Sequence, residues 1–142
     1  MTDDNVVEYH GNVEALKQAL SVPLGEGVTF REIERGGRKF IKVTVEGGSF
    51  TTMHRHDKGH IISLPKSDGL YITMGPDGGF DVTELDKLDG KYVEFFTGTA
   101  YHGVYNRGPG SINYYTTGPD GSYFNKKIHR KALEFLGDND LL

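Results

Sequence analysis

The histidines of this chain occur at a spacing that suits a metal ion. There are six histidines among 142 residues, and three of them, His54, His56 and His60, form the pattern H-x-H-x-x-x-H. Side chains two residues apart on a strand point to the same face, so His54 and His56 are expected to project together. A cluster of neutral imidazoles favours zinc, iron, copper, nickel or manganese over calcium or magnesium.

A fourth histidine, His102, follows His60 by forty-two residues. Residues 57–59 have the composition of a turn, which returns His60 to the same pocket at the start of the next strand. The three histidines of the pattern are candidate ligands of one divalent transition metal. Other interpretations stay open: the first two could be hydrogen-bonded pocket histidines, and His60 could orient a ligand imidazole or bind substrate.

The chain from residue 27 to residue 117 has the pattern of many short strands. Ile41, Val43 and Val45 alternate with polar residues, which is typical of a strand buried on one face. Similar runs occupy residues 27–33, 49–54, 60–64, 70–74, 80–85, 91–96, 101–106 and 111–117. Glycine accounts for 20 of 142 residues, and glycine-rich turns separate the runs. Some nine strands predict an all-β sandwich or barrel rather than alternating βαβ units.

Both ends of the chain have helical patterns. Residues 12–20 carry apolar side chains at helical spacing, and residues 123–136 do so again. The second pattern predicts an apolar stripe docked on the outside of the barrel, formed by Ile128, Ala132, Phe135 and Leu136. His10 and His129 fall in these terminal elements, and we expect surface or structural roles for them.

Composition excludes several classes of function. The net charge of −4 argues against a generic nucleic-acid or anionic-membrane surface. The absence of cysteine excludes disulfides, thiolate metal sites and cysteine nucleophiles. No signal peptide or membrane-spanning apolar run is visible in the sequence, which predicts a cytoplasmic protein of one domain, residues 1–142.

The first histidine segment resembles motif one of the cupin superfamily, G-x5-H-x-H-x3,4-E-x6-G. Gly48 stands five residues before His54, His56 follows at the expected place, and His60 occupies the glutamate position. In this respect the chain resembles the minority of cupins that bind metal through four histidines.

The second segment resembles motif two, G-x5-P-x-G-x2-H-x3-N. Gly90, Gly98, His102 and Asn106 match it, with Phe96 at the proline position and one extra residue before His102. The resemblance covers roughly residues 40 to 117 and implies a double-stranded β-helix, the jelly-roll barrel of cupins, with short N- and C-terminal helices. It also implies a homodimer and one divalent transition metal, bound by His54, His56, His60 and His102.

A four-histidine site predicts the type of substrate. Four neutral ligands leave a divalent ion its full charge and, in octahedral geometry, two adjacent positions for an anionic or chelating small molecule, or for one of its oxygens and O2. We therefore predict an oxidoreductase, dioxygenase-like, acting on a small organic acid or enolisable compound. Tyr101, Tyr114 and Asn106 are the candidate catalytic residues beside the metal.

Two alternatives use the same pocket. The metal could act as a Lewis acid in lyase, isomerase or cyclase chemistry, with a tyrosine as general base; the candidates are Tyr71, Tyr101, Tyr114 and Tyr115. The chain could instead be a non-catalytic small-molecule-binding module. In each case we expect an apolar pocket wall drawn from Phe50, Ile62, Leu64, Phe95 and Tyr114.

Overall fold

The computed structural model describes residues 6–9, 27–117 and 122–142. Strands in these ranges are numbered in chain order as β1 (Val6–Tyr9), β2 (Val28–Arg35), β3 (Arg38–Val45), β4 (His54–Arg55), β5 (Ile61–Pro65), β6 (Gly69–Met74), β7 (Phe80–Glu84), β8 (Tyr92–Phe96), β9 (His102–Asn106), β10 (Ile112–Thr117) and β11 (Ser122–Asn125). A short 3₁₀ helix covers Leu85–Lys87, and helix α1 covers Lys126–Asp138.

The strands form two antiparallel sheets. One has six strands in the order β1-β11-β4-β9-β6-β7, and the other has five in the order β2-β3-β10-β5-β8. Strand β4 is the shortest element, with two residues. It pairs with β11 through His54 and Arg55, but with β9 through the single pair His54–His102. The ladder that joins β4 to β9, in the middle of the six-stranded sheet, is therefore narrow: it is one residue pair wide, at the histidines.

The main core lies between the two sheets. Strand β3 shows why: Ile41, Val43 and Val45 are buried while the residues between them are half-buried, as a period of two requires. In the paired register, Val43 lies opposite Tyr114 and Ile41 opposite Thr116 on β10. These inward positions meet Val104 and Phe124 of the facing sheet.

A second core lies on the outer face of the six-stranded sheet, where α1 packs. Ala132 and Leu136 of α1 are fully buried against Leu70 and Ile72 of β6. The predicted docking of this apolar stripe on the outside of the barrel is thus confirmed. Among the described residues, no helix is long and apolar enough to cross a membrane.

The predicted strands agree with the observed ones except at two places, and strand β1 was not predicted. Residues 49–54 were expected to form a strand, but they contribute one isolated bridge, between Phe50 and Tyr105, before β4 begins. The C-terminal helix was expected from residue 123, but residues 122–125 form β11, because they pair with β4 and β1. The helix begins only where the Asn125 side chain accepts the Ile128 N–H, at 3.0 Å. The helix predicted over residues 12–20 lies outside the described residues.

Asn106, at the end of β9, holds three backbone groups together. Its Nδ2 donates to the carbonyls of Val45 (2.9 Å) and Gly110 (2.6 Å), and its Oδ1 accepts the Gly108 N–H (3.0 Å). The side chain is 1% exposed, so water cannot replace these bonds. The observed contacts of Asn106 are therefore with the backbone of neighbouring turns.

Replacing Asn106 with alanine is expected to lower the free energy of unfolding by about 2–4 kcal/mol, because buried backbone groups lose their partners. Urea denaturation measures this. Asn113→Ala is the matched control: Asn113 is half-buried and its Oδ1 accepts a hydrogen bond from the Thr44 hydroxyl, so a loss below about 1 kcal/mol is expected. Equal losses of unfolding free energy in both variants would contradict the role of Asn106 in holding these backbone groups together.

Candidate metal centre

Three histidines converge at the narrow point of the six-stranded sheet. His54 on β4 faces His102 on β9 across the strand pair, and His56 follows β4 immediately. One ligand atom from each of the three lies within 4.8 Å of the others. Two nitrogens each about 2.1 Å from one ion lie at most about 4.2 Å apart. The two most widely separated ligand atoms must therefore move slightly closer together to bind one ion.

Hydrogen bonds fix the tautomer of two of these rings. His54 Nδ1 lies 2.7 Å from the Thr52 carbonyl and His102 Nδ1 lies 3.0 Å from the Ala100 carbonyl. Because a carbonyl oxygen only accepts, each Nδ1 carries the hydrogen and each Nε2 presents a lone pair. This is the arrangement in which metal-binding histidines are held by a backbone group.

A further observation indicates that these three histidines suit a transition metal. His102 is 1% exposed, and its Nε2 is buried with no hydrogen-bond partner among the described residues. An unpaired buried acceptor is costly, and a metal ion would satisfy it. The three imidazoles therefore form a site suited to zinc, iron, manganese, copper or nickel rather than to calcium.

Burial keeps His54, His60 and His102 neutral. It lowers the pKa of His54, and it lowers the pKa of His102 well below its ordinary value, with the neighbouring histidines acting in the same direction on His102. Burial, with a smaller contribution from His54, lowers the pKa of His60 to about 4. Near pH 7 the rings carry lone pairs that are ready to bind a cation.

The Thr52 backbone is strained at the residue whose carbonyl accepts a hydrogen bond from His54. Thr52 has a φ of 38°, in the left-handed region that β-branched residues rarely adopt, and its side chain is 1% exposed. Such a conformation costs about 1–3 kcal/mol and persists only when the surroundings hold it. Its carbonyl is the group that accepts the His54 Nδ1 hydrogen bond, so the strained residue orients a histidine of the cluster.

His60 lies beside the three-histidine cluster. Its ring centroid is 4.5 Å from that of His56 and 5.4 Å from that of His102. Its Nδ1 lies 3.0 Å from the Thr97 hydroxyl, which can donate its one hydrogen to the backbone carbonyls of His60 or Gly98. When the Thr97 hydroxyl donates to one of these carbonyls, His60 Nδ1 donates its hydrogen to the Thr97 oxygen. The lone pair of His60 Nε2 is then available to a metal ion. His60 as the fourth ligand stays a prediction.

Thr97→Val tests that prediction, because it removes the hydroxyl and keeps the side-chain shape. If His60 is a ligand, losing its hydrogen-bond partner is expected to weaken metal affinity by about 10-fold. This is the lower end of the effect of removing a hydrogen-bond partner of a metal ligand. Competition with a fluorescent chelator measures the affinity. Thr116→Val is the matched control, because the Thr116 hydroxyl faces the same pocket but donates to the Thr117 carbonyl at 3.1 Å. Unchanged affinity in Thr97→Val would restrict the site to three histidines.

The four histidines form one end of a small cavity of about 30 Å³ between the sheets. Its other walls are mainly apolar, formed by Phe30, Ile41, Val43, Ile62, Tyr114, Thr116 and Phe124. Sequence reasoning named Ile62 and Tyr114 but missed the others. The alternation in β3 could have identified Ile41 and Val43, whereas Phe30 and Phe124 depend on how distant strands meet.

The remaining residues expected in the wall lie elsewhere in the cores. Phe50 was a wrong choice, because it packs toward α1, with its ring 4.8 Å from that of His129. Leu64 is buried between the sheets, and Phe95 packs on Tyr71 with a centroid distance of 5.1 Å. Neither belongs to the cavity lining.

The structure separates the three candidate catalytic residues. Tyr114 lines the histidine cavity, and burial raises its pKa well above the ordinary value, so it stays protonated near neutral pH. Tyr101 lies by the Arg55 guanidinium, 5.8 Å from its ring centroid, and lines a different groove with residues 74–78. Asn106 bonds backbone groups at the far end of β9. Their catalytic roles stay predictions.

Known structures resemble this architecture, although no family model and no curated protein matches the chain. Peruvianin-I, a cysteine peptidase from Thevetia peruviana latex, superposes with a TM-score of 0.51 at 15% identity over 78% of this chain and 69% of its own. Oxalate decarboxylase of Bacillus subtilis gives 0.51 at 15% identity over 71% of this chain and 26% of its own. An oxalate oxidase in complex with glycolate gives 0.49 at 16% identity over 83% and 56%.

The two superpositions with a TM-score of 0.51 establish the fold. The chain spans about a quarter of the decarboxylase and just over half of the oxidase. With its two antiparallel sheets and jelly-roll neighbours, the chain has the cupin fold, as its motifs suggested. The activities of these neighbours do not follow from the fold: one is a cysteine peptidase, and this chain has no cysteine.

Proposed function

We propose that this chain of cupin fold is a metal-dependent oxidoreductase, dioxygenase-like, that acts on a small organic acid or enolisable compound. The observation that carries the proposal is the convergence of His54, His56 and His102, with a buried, unpartnered Nε2 on His102. Among the described residues that line the cavity, no carboxylate offsets the charge of a bound cation. Such a site supports an anionic chelating substrate.

His54, His56 and His102 would hold the ion, with His60 as the proposed fourth ligand. A redox-active divalent metal bound there supplies electron transfer to O2 and Lewis acidity toward a carboxylate or enolate. The oxalate decarboxylase of Bacillus subtilis has Mn(II) centres, so manganese and iron are the first metals to test.

The chain's own residues orient the ligands and exclude water. The Thr52 and Ala100 carbonyls hold two imidazoles with Nε2 free. Phe124, which is fully buried, stacks at 5.2 Å from the His54 ring and closes one side of the cavity. The Tyr114 hydroxyl, hydrogen-bonded with Thr51, keeps its proton near neutral pH and can donate to an oxygen of the substrate.

Anaerobic reconstitution followed by oxygen uptake tests the proposal. Chelator-treated protein is loaded with Fe(II) or Mn(II), and O2 consumption is recorded with a panel of small 2-oxo, 2-hydroxy and β-dicarbonyl acids. We expect consumption that needs both metal and acid and that disappears in His102→Ala. Turnover without O2 would replace the proposal with Lewis-acid lyase or isomerase chemistry. Binding without turnover would indicate a binding module, and failure to bind metal would refute all metal-dependent functions.

A further inference from the structure

We infer that the cavity selects a monoanionic chelating ligand with a short apolar tail, and discriminates against dicarboxylates. This inference rests on the proposed metal centre and adds the class of substrate. It follows from the walls that a ligand bound at the histidines would contact.

Apart from the histidines, the cavity walls are mainly apolar. Phe30, Ile41 and Val43 come from β2 and β3, Ile62 comes from β5, and Phe124 comes from β11. Ile41, Val43 and Ile62 are at most 5% exposed, so their surface toward the cavity is shielded from bulk solvent. A ligand atom beyond the metal-binding group therefore meets hydrocarbon.

The polar groups of the wall are neutral hydroxyls. The Thr116 hydroxyl donates to the Thr117 carbonyl at 3.1 Å, and the Tyr114 hydroxyl is hydrogen-bonded with Thr51. Among the described residues of the lining, none is lysine or arginine. A second carboxylate on the ligand would therefore have no ion-pair partner in this wall.

The arginine closest in sequence to the ligands points away from the cavity. Arg55 stands between His54 and His56, and its guanidinium lies 4.3 Å from the centroid of the Tyr123 ring and 5.8 Å from that of Tyr101. Cation–π contact with these rings holds Arg55 on the opposite face of the strand. It cannot pair with a ligand at the metal without leaving both rings.

Charge and size then define the ligand. One anionic group can bind the ion, whereas a second, buried and unpaired, is strongly unfavourable. The cavity of about 30 Å³ leaves room for few atoms beyond the chelating group. A short alkyl tail gains from contact with the apolar wall, and a tail ending in a carboxylate does not.

A matched pair of ligands tests the inference. 2-Oxopentanoate and 2-oxoglutarate have the same chelating end and the same carbon chain, and differ in a terminal carboxylate. Each is titrated into Co(II)-loaded protein, and binding is followed by the visible absorption of cobalt. We expect 2-oxopentanoate to bind at least about 10-fold more tightly than 2-oxoglutarate, the ratio that about 1.4 kcal/mol gives, and also more tightly than pyruvate. Equal or tighter binding of 2-oxoglutarate would overturn the inference.

Two variants locate the origin of the preference. Thr116→Lys places a cation in the wall and is expected to reduce the ratio by about 10-fold. Thr117→Lys is the control, because adjacent residues of β10 face opposite sides of the sheet, and it should leave the ratio unchanged. An equal effect of both lysines would show that overall charge, not the wall, sets the preference, and would refute the inference.

The same titration separates this inference from the proposed function. If Co(II) does not bind, the metal centre is refuted and the inference falls with it. If Co(II) binds at one equivalent but the ligand order is reversed, the metal centre stands and the inference alone is wrong.

Discussion

Replacing His102 with alanine is expected to abolish metal binding at neutral pH. His102 lies opposite His54 in the strand pair, and its buried Nε2 has no other partner in the described structure. Losing the ligand itself should cost more than losing a group that orients one, which typically costs 10–100-fold. We expect affinity to fall by at least about 100-fold, measured by elemental analysis and chelator competition.

His129→Ala is the matched control for this experiment. It makes the same chemical change in a half-buried histidine outside the cluster, whose Nδ1 accepts the Met53 N–H at 3.4 Å and whose ring packs on Phe50. We expect it to lower the stability of the α1 packing and to leave metal affinity within about 3-fold of wild type, about 0.7 kcal/mol. Stoichiometric metal at wild-type affinity in His102→Ala would refute the assigned site.

Acidification is expected to destabilise the metal-free protein between pH 6.5 and about 4. Burial lowers the pKa of His60 to about 4 in the folded state, and the pKa values of His54 and His102 are lowered as well. The unfolded chain, with ordinary histidine pKa values near 6.5, binds protons first as the pH falls. The stability contributed by the neutral rings is therefore complete above pH 6.5 and is lost below it.

The size of the effect is large for a domain of this length. Each such histidine changes the free energy of unfolding by up to about 1.4 kcal/mol per pH unit, so His60 alone accounts for up to about 3 kcal/mol by pH 4. Urea denaturation of chelator-treated protein from pH 7.5 to 4 measures the slope. In His60→Gln the slope should be smaller, and a flat wild-type profile would contradict the burial of neutral histidines.

The periodic parts of the fold could be predicted from the sequence. The alternation of Ile41, Val43 and Val45 identified β3, and H-x-H identified two side chains on one face. The spacing of residues along a strand is fixed by backbone geometry, so these inferences need no knowledge of the partner strand. The cupin fold and the convergence of His102 with His54 and His56 were expected instead from the resemblance to the two cupin motifs.

Features that depend on pairing between segments far apart in the sequence could not be predicted. Residues 123–125 were expected to be helical but belong to β11, which pairs with β4 and β1, because tertiary contacts outweigh local preference in so short a segment. Phe50 and Phe124 are both buried aromatic residues, and the core that each one faces depends on pairing with distant segments. The homodimer, the cytoplasmic location and the catalytic roles of Tyr101, Tyr114 and Asn106 stay predictions.

The single residue pair between β4 and β9 has a consequence for local opening of the protein. Strands β1 and β11 reach the rest of the six-stranded sheet through β4, whose ladder to β9 is the pair His54–His102. An ion held by those two histidines would connect the two halves of the sheet. Without it, we expect the amides of Ser122–Asn125 to exchange with solvent deuterium as one cooperative unit, ahead of those of β6. Bound metal should slow that exchange in proportion to its free concentration over its dissociation constant, and should leave the exchange of β3 and β10 unchanged.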